Sequence, residues 1–404
     1  MTAKMTAVIT GIIMISLALS GCWDRREPDL LGIAMGMGID VDEETGMFRV
    51  IAQIANPLGL SQGNGGNGPG GGDGTPPAIL LSARGLTLFE ASRNLEIHST
   101  RELTLSHMEI LLLSESAARQ GMGPIIDFVE RKREVRLQIR PVVVEGGLEE
   151  LMSSQFPMEE IPAIGISRQL LSVKAKSALV PRVDFRQFVI ATTSPGLDPI
   201  VPRIAVGNVD QETEEDSGAG PDVDSPAELQ GAAVFQRDRM VGWLTGREVR
   251  GFNWLRGELD RATLVIPLAE GEAPFSVEVI SASCGIEPIL EGENIRFAVD
   301  IRLEAVIMDQ VFHATYEEET AFTRLMNREV ARMAQDDIEA VFSKSQELES
   351  DFLGLGNLIY RRHPERWREL EDDWRQTLSE VTLDLEVSAA IRRTGHILIP
   401  SRPR

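Results

Sequence analysis

Residues 208–228 (NVDQETEEDSGAGPDVDSPAE) constrain the fold more than any other stretch: acid, Gly, Ser and Pro fill them, and they offer a core almost no apolar side chain. Chain of that composition stays in water. We therefore expect an interdomain linker here, with hydrophobic layers built separately on either side. A calcium loop would also collect oxygen ligands, but it needs a ligand spacing and a closing Glu that are missing. At 404 residues the chain exceeds one comfortable core. With 43% hydrophobic residues it can bury the cores it needs.

Charge excludes some functions. Asp and Glu number 62 against 40 Lys and Arg, a net charge of -22. Such a surface repels nucleic acid and anionic lipid headgroups, so no nucleic-acid partner is expected and membrane attachment cannot rest on a basic patch. Only five of the basic residues are lysine, and the arginines are scattered rather than gathered into an anion-binding fork. Two cysteines exclude a disulfide framework. Cys284 follows a strand-like run and reads as a small buried hydrophobe rather than a reactive thiol.

The other cysteine sits in MTAKMTAVITGIIMISLALSGC, residues 1–22. Lys4 gives a minimal positive start, Ala7 to Leu19 an apolar stretch, and small residues precede Cys22, which is the layout of a secretory signal. The apolar run of about 13 residues falls short of the roughly 20 that a membrane-spanning helix requires. Leu19-Ser20-Gly21-Cys22 resembles the bacterial lipobox, where cleavage before a diacylglyceryl-modified cysteine leaves a lipid anchor. Two or more acyl chains, palmitate among them, hold a protein stably on a bilayer.

Periodicity supplies the elements. Strands are expected at 30–40 and 47–55; in the second, Phe48, Val50, Ala52 and Ile54 alternate with Arg49 and Gln53 as in a half-buried strand. Residues 61–77 form a Gly-rich surface loop, without the Gly-Lys-Ser/Thr of a phosphate loop. A strand at 78–82, a helix opened by the capping-box spacing Thr87 to Glu90, a strand at 108–113, a helix from Gly123-Pro124, a strand at 138–144 and helices within 147–192 follow. Beyond the acidic stretch come a hairpin (229–235 and 240–244), strands at 262–268, 276–281 and 295–307, and a long helix over 317–345. That helix carries the apolar stripe Phe322, Leu325, Met326, Val330, Met333, Ile338, Val341 and Phe342. A second helical stretch with Trp367 and Trp374 and an alternating final strand at 381–387 complete an α+β reading: multi-domain, mixed sheets with packed helices, three domains after the signal. The boundaries expected are 1–21 signal peptide, 22–207 N-terminal domain, 208–228 linker, 229–290 middle β-rich domain and 291–404 C-terminal α+β domain.

Three groups of residues together resemble the Ger(x)C family, the C-subunit lipoproteins of spore germinant receptors. The first is Cys22-Trp23-Asp24-Arg25-Arg26-Glu27, leading to Gly36-Met37-Gly38-Ile39-Asp40 and Asn56-Pro57. The second is Ser106-His107-Met108-Glu109 with Asp127-Phe128-Val129-Glu130-Arg131. The third is Gln346, Ser350-Asp351, Gly354-Leu355-Gly356, Trp367 and Trp374. They occur in the family's order across nearly the whole chain. Leu355 stands where the family has an aromatic, and the Gly-rich tract is an insertion. The resemblance implies a lipid-anchored, non-catalytic subunit beside integral membrane A and B subunits at the spore inner membrane, helping to trigger germination. Whether it touches the germinant stays open. Trp23, Asp24 and Glu27 follow the anchor, either as a docking segment with Trp23 at the lipid interface or as a plain tether. His107, Gln346, Asp351, Gly354, Gly356 and Trp367 are motif residues whose role the motifs do not state.

No catalytic, cofactor-binding or metal residue is expected. His98, His107, His313, His363 and His396 lack zinc-site spacing, and there is no Gly-x-Ser-x-Gly elbow. The alternative reading is a lipid-anchored solute-binding protein of a transporter, which would need two α/β lobes around a cleft. A cell-wall hydrolase would need a catalytic constellation that the sequence lacks.

Overall fold

The structure is a computed structural model that describes residues 5–6, 9–11, 30–62, 76–156, 158–176, 178–206, 227–259, 261–267, 274–292, 294–310 and 316–392. Cys22, Trp23, Asp24 and Glu27 lie outside the described residues, as do most of the Gly-rich tract and the acidic stretch.

The described residues from Leu31 to Leu244 build one sheet with its helices. Its elements are β1 (Leu31–Val41), β2 (Phe48–Ala55), α1 (Pro57–Gln62), β3 (Ala78–Gly85), α2 (Leu88–Ile97), β4 (Glu102–Thr104) and β5 (Ile110–Ser114). Then come α3 (Glu115–Gln120), α4 (Gly123–Arg131), β6 (Arg140–Glu145), α5 (Leu148–Ser153), α6 (Pro162–Lys176), α7 (Phe185–Thr193), β7 (Ile200–Val206), β8 (Ala227–Gln236) and β9 (Arg239–Leu244). The nine strands run β3-β2-β1-β5-β6-β7-β8-β9, with β4 beside the start of β1. β1, β5, β6 and β7 are parallel, and antiparallel strands flank them on both sides. Helices cover both faces, so the central strands are buried on both sides and read as unbroken apolar runs, as parallel sheets do. In β5, Leu111 and Leu113 face one core with Phe128 of α4, whereas Ile110 and Leu112 face another with Leu151 of α5 and Ile166 of α6.

Helix starts follow local chemistry. Thr87 Oγ1 accepts the Glu90 N–H, and the Glu90 carboxylate accepts the N–H of Leu86 rather than that of Thr87, so the expected capping box is half formed. β2 departs further from expectation. Gln53, assigned to the wet face, is buried; its amide donates to the Met152 carbonyl and accepts the Ala163 N–H, both at 2.7 Å. The second helical layer supplies those partners, which alternation along one strand could not show.

The second sheet follows α8 (Gly246–Arg256): β10 (Thr263–Ile266), β11 (Phe275–Glu291), β12 (Asn294–Gln310), then α9 (Tyr316–Glu347), α10 (Leu355–Arg362), α11 (Pro364–Leu370), α12 (Trp374–Leu378) and β13 (Thr382–Arg392). Its order is β10-β11-β12-β13, with the last pair parallel. α9 lays Met326, Val330, Ala334, Ile338 and Val341 against Phe297, Val299 and Ile301 of β12. The same core takes in Ile200, Ala232, Val234 and Leu244 of the first sheet, so one hydrophobic core spans both sheets.

Strand pairing runs across two of the expected boundaries. The acidic stretch joins β7 to β8, which are hydrogen-bonded neighbours from Ile200↔Val234 to Val206↔Ala227; it is a connection within one sheet. Composition marks such a stretch as solvated and says nothing about whether its two ends meet. A division at 290/291 would cut the β11–β12 hairpin, whose register runs unbroken from Ser281↔Glu304 to Glu291↔Asn294.

Candidate functional site at the junction of the two sheets

Asp351, in the loop between α9 and α10, is buried, and donors surround it. Oδ1 accepts the N–H groups of Gly354 at 2.8 Å and Leu355 at 2.9 Å; Oδ2 accepts Gly356 N–H at 2.6 Å and Trp374 Nε1–H at 2.8 Å. Three of these donors are amides at the start of α10, where the helix dipole favours an anion. Burial pushes the Asp351 carboxyl up, to about 6; the Gly356, Leu355 and Trp374 donors pull against it, and the Asp198 charge adds to the rise.

Glycine makes this packing possible. Gly354 has φ +77°, in the left-handed region where a side chain is strained. A Cβ on Gly356 would sit 2.6 Å from Trp374 Nε1 and 2.8 Å from Trp367 Cζ3. The two indoles meet edge to face, with centroids 5.5 Å apart. Gln346 donates its amide to the carbonyls of Leu378 at 2.9 Å and Val381 at 3.0 Å, fixing the end of α9 to the start of β13.

The other half of the site comes from the α7–β7 loop of the first sheet. Asp198 N–H donates to the Asp351 carbonyl and Asp351 N–H to Asp198 Oδ2, both at 3.0 Å. Asp198 also accepts from Arg237 N–H at 2.6 Å and from the Arg375 guanidinium at 3.3 Å. Gly196 O accepts Asn357 N–H at 2.7 Å, and Ser350 Oγ donates to Phe235 O at 2.6 Å. A cavity of about 300 Å³ opens here, lined among others by Asp198, Arg237, Trp367, Glu371 and Arg375.

Of the residues singled out in the sequence, Gln346, Ser350, Asp351, Gly354, Leu355, Gly356, Trp367 and Trp374 converge on this junction. His107 does not. It is exposed on the β4–β5 loop, with Nδ1 3.1 Å from Ser106 Oγ. Its neighbour Glu109 accepts from Ser167 Oγ, to which Arg140 donates, both at 2.7 Å. Asp198, Arg375 and Gly196 escaped the sequence reading, although Pro195-Gly196-Leu197-Asp198 carries a turn signature. A second buried acid escaped it altogether. Asp337 of α9 takes a bidentate bond from Arg250 of α8 at 2.6 and 2.9 Å, and burial pushes its carboxyl up against that partner. Cys284 is half-buried against the second core; burial, with Asp300 nearby, pushes its thiol up to about 12, so it is no nucleophile at neutral pH. Among the described residues no three His, Cys, Asp or Glu side chains gather as metal ligands would.

Known proteins share this layout. Residues 24–206 match the spore germination protein N-terminal domain, and residues 230–395 match the spore germination B3/GerAC-like C-terminal domain. The chain belongs to the Ger(x)C family of spore germination proteins. Relatives include spore germination protein KC of Bacillus subtilis (strain 168), 24% identical over 94% of this chain and 93% of its own. Spore germination protein B3 of the same organism is 20% identical, over 94% and 96%. GerQC of Bacillus cereus is 22% identical, over 93% and 96%. The crystal structure of the GerBC protein shares the fold, with a TM-score of 0.54 at 15% identity over 88% of this chain and 97% of that one. Within this Ger(x)C chain, the junction described above is where the two matched regions meet.

Proposed function

We propose that this Ger(x)C protein is the non-catalytic C subunit of a nutrient germinant receptor, held by lipid on Cys22 at the outer face of the spore inner membrane beside integral A and B subunits. The observation that carries the reading is the end-to-end match to the two germination domains, on the chain that bears Leu19-Ser20-Gly21-Cys22. The two buried acids described above are engaged within the fold. All four accepting positions described on Asp351 are occupied by the protein's own donors, and Asp337 is held by Arg250. No helix among the described residues is long and apolar enough to cross a membrane; in this proposal the attachment is acylation of Cys22. The alternative, a solute-binding protein, needs two lobes that close on a cleft; here residues of both sheets belong to one shared hydrophobic core.

Two measurements test the proposal. Cys22→Ala should release the protein from membranes or leave it unprocessed, so unchanged membrane fractionation of that variant would sink the anchor. The native protein should co-purify with polytopic membrane proteins encoded beside it; isolation with a transport ATPase and permease instead would favour the alternative.

A further inference from the structure

The chain has a net charge of -22, yet the segment that joins β2 to β3 at one end of the first sheet is nearly free of charge. Between Arg49 and Arg84 lie 34 residues with a single charge, Asp73, in a protein that is 25% charged. β2 ends there, β3 begins there, and β1 also begins there: Ala55 pairs with Ala78, and Ala34 with Ile54. Asn56 closes this end, its N–H on Pro77 O at 2.8 Å and its side-chain amide on Pro76 O at 2.9 Å. Large apolar side chains stand out into solvent around it: Leu58 at 66% exposure, Leu30 at 64%, Ile79 at 44% and Leu60 at 38%. They form a patch that costs free energy in water and carries no charge to be desolvated in lipid.

We propose that this end of the sheet, Leu30, Leu58, Leu60 and Ile79, rests in the interfacial layer of the bilayer beside the acylated Cys22, so that the protein stands on the membrane in a fixed orientation. The inference rests on the lipid anchor proposed above. The tether sets the geometry: Leu30 lies eight residue steps after Cys22, a reach of at most about 28 Å. The eleven residues of β1 hold its far end roughly 36 Å further off. Charge has the same polarity. The far end carries Asp42, Glu43 and Glu44 in the β1–β2 turn, which an anionic surface repels. Flanking the apolar end are exposed Arg101 and Glu102, at the start of β4, and exposed Arg133 and Arg136 in the loop leading to β6. Glu134 of that loop is turned inward onto Leu105 N–H.

The test uses the acylated full-length protein, in a Cys284→Ser background, on phosphatidylglycerol-containing vesicles. Leu58→Cys, Ile79→Cys and the far-end control Leu86→Cys each carry an environment-sensitive dye. Emission from positions 58 and 79 should move to the blue and be quenched by brominated lipid, while position 86 stays unchanged. If 58 and 79 behave like 86 on protein that still floats with the vesicles, the inference is wrong and the anchor stands. Failure to float at all defeats the anchor reading itself. A blue shift that appears only with co-reconstituted membrane subunits, and resists brominated lipid, would assign the patch to a protein partner and overturn the proposal.

Discussion

Burial and hydrogen bonding act in opposite directions on the Asp351 carboxyl, and burial with the Asp198 charge prevails. Its folded value of about 6 lies above the ordinary 3.8. The native state therefore holds a proton that the unfolded chain has released between those values, and this group's contribution to stability is greatest below 3.8 and is lost as pH rises through 6. The span is worth at most roughly 3 kcal/mol. Asp351→Asn cannot accept on both oxygens; it turns an NH₂ toward Gly356 and Trp374 and should cost about 2 kcal/mol or more at neutral pH. Because Asn does not titrate, thermal denaturation of the two proteins should show the gap widening from pH 7 to pH 4. A gap that narrows would mean that the four donors outweigh burial.

Where two helices cross, α8 and α9 come close enough that a Cβ on Gly251 would lie 2.1 Å from the Asp337 carbonyl oxygen. The Arg250–Asp337 pair lies in this contact. Arg250→Met should destabilise by roughly 3–5 kcal/mol, by leaving a buried carboxylate without its main partner, and Asp337→Leu in the same chain should restore most of the loss. Denaturant titration of the single and double variants decides it; an equally unstable double variant would show that the pair's value is not electrostatic. Elsewhere an insertion should matter little. Asn56 already ties Pro76 and Pro77 to the end of β2, so replacing residues 63–75 with a four-residue linker should change stability by about 1 kcal/mol at most. A larger loss would show that the segment packs. Elements of this kind were legible in the sequence because their signals are local: the stripe of α9, the cap at Thr87 and the apolar run of β5 each lie within one window. The Arg250–Asp337 pair joins residues 87 apart, and Asp198 meets Asp351 across 153. No periodicity reports pairs so distant. The third motif did mark eight residues of the junction, but only the fold shows that they lie where the two sheets meet.

At the scale of the molecule, the two matched germination regions are not two bodies. β8 and β9 belong to the C-terminal region by sequence, yet they complete the first sheet. A fragment starting at residue 227 should therefore fail to fold, with β8 lacking its neighbour β7, and the full chain should melt in one transition by calorimetry. Two separate transitions would contradict this. The order in which the chain is made gives the strand swap a second consequence. While residues up to 206 have emerged and those after 226 have not, β7 offers an open hydrogen-bonding edge to any passing strand. The next piece of chain to appear holds seven acids between 208 and 226. They set like charge directly after that edge, which disfavours its pairing with the same edge of another copy.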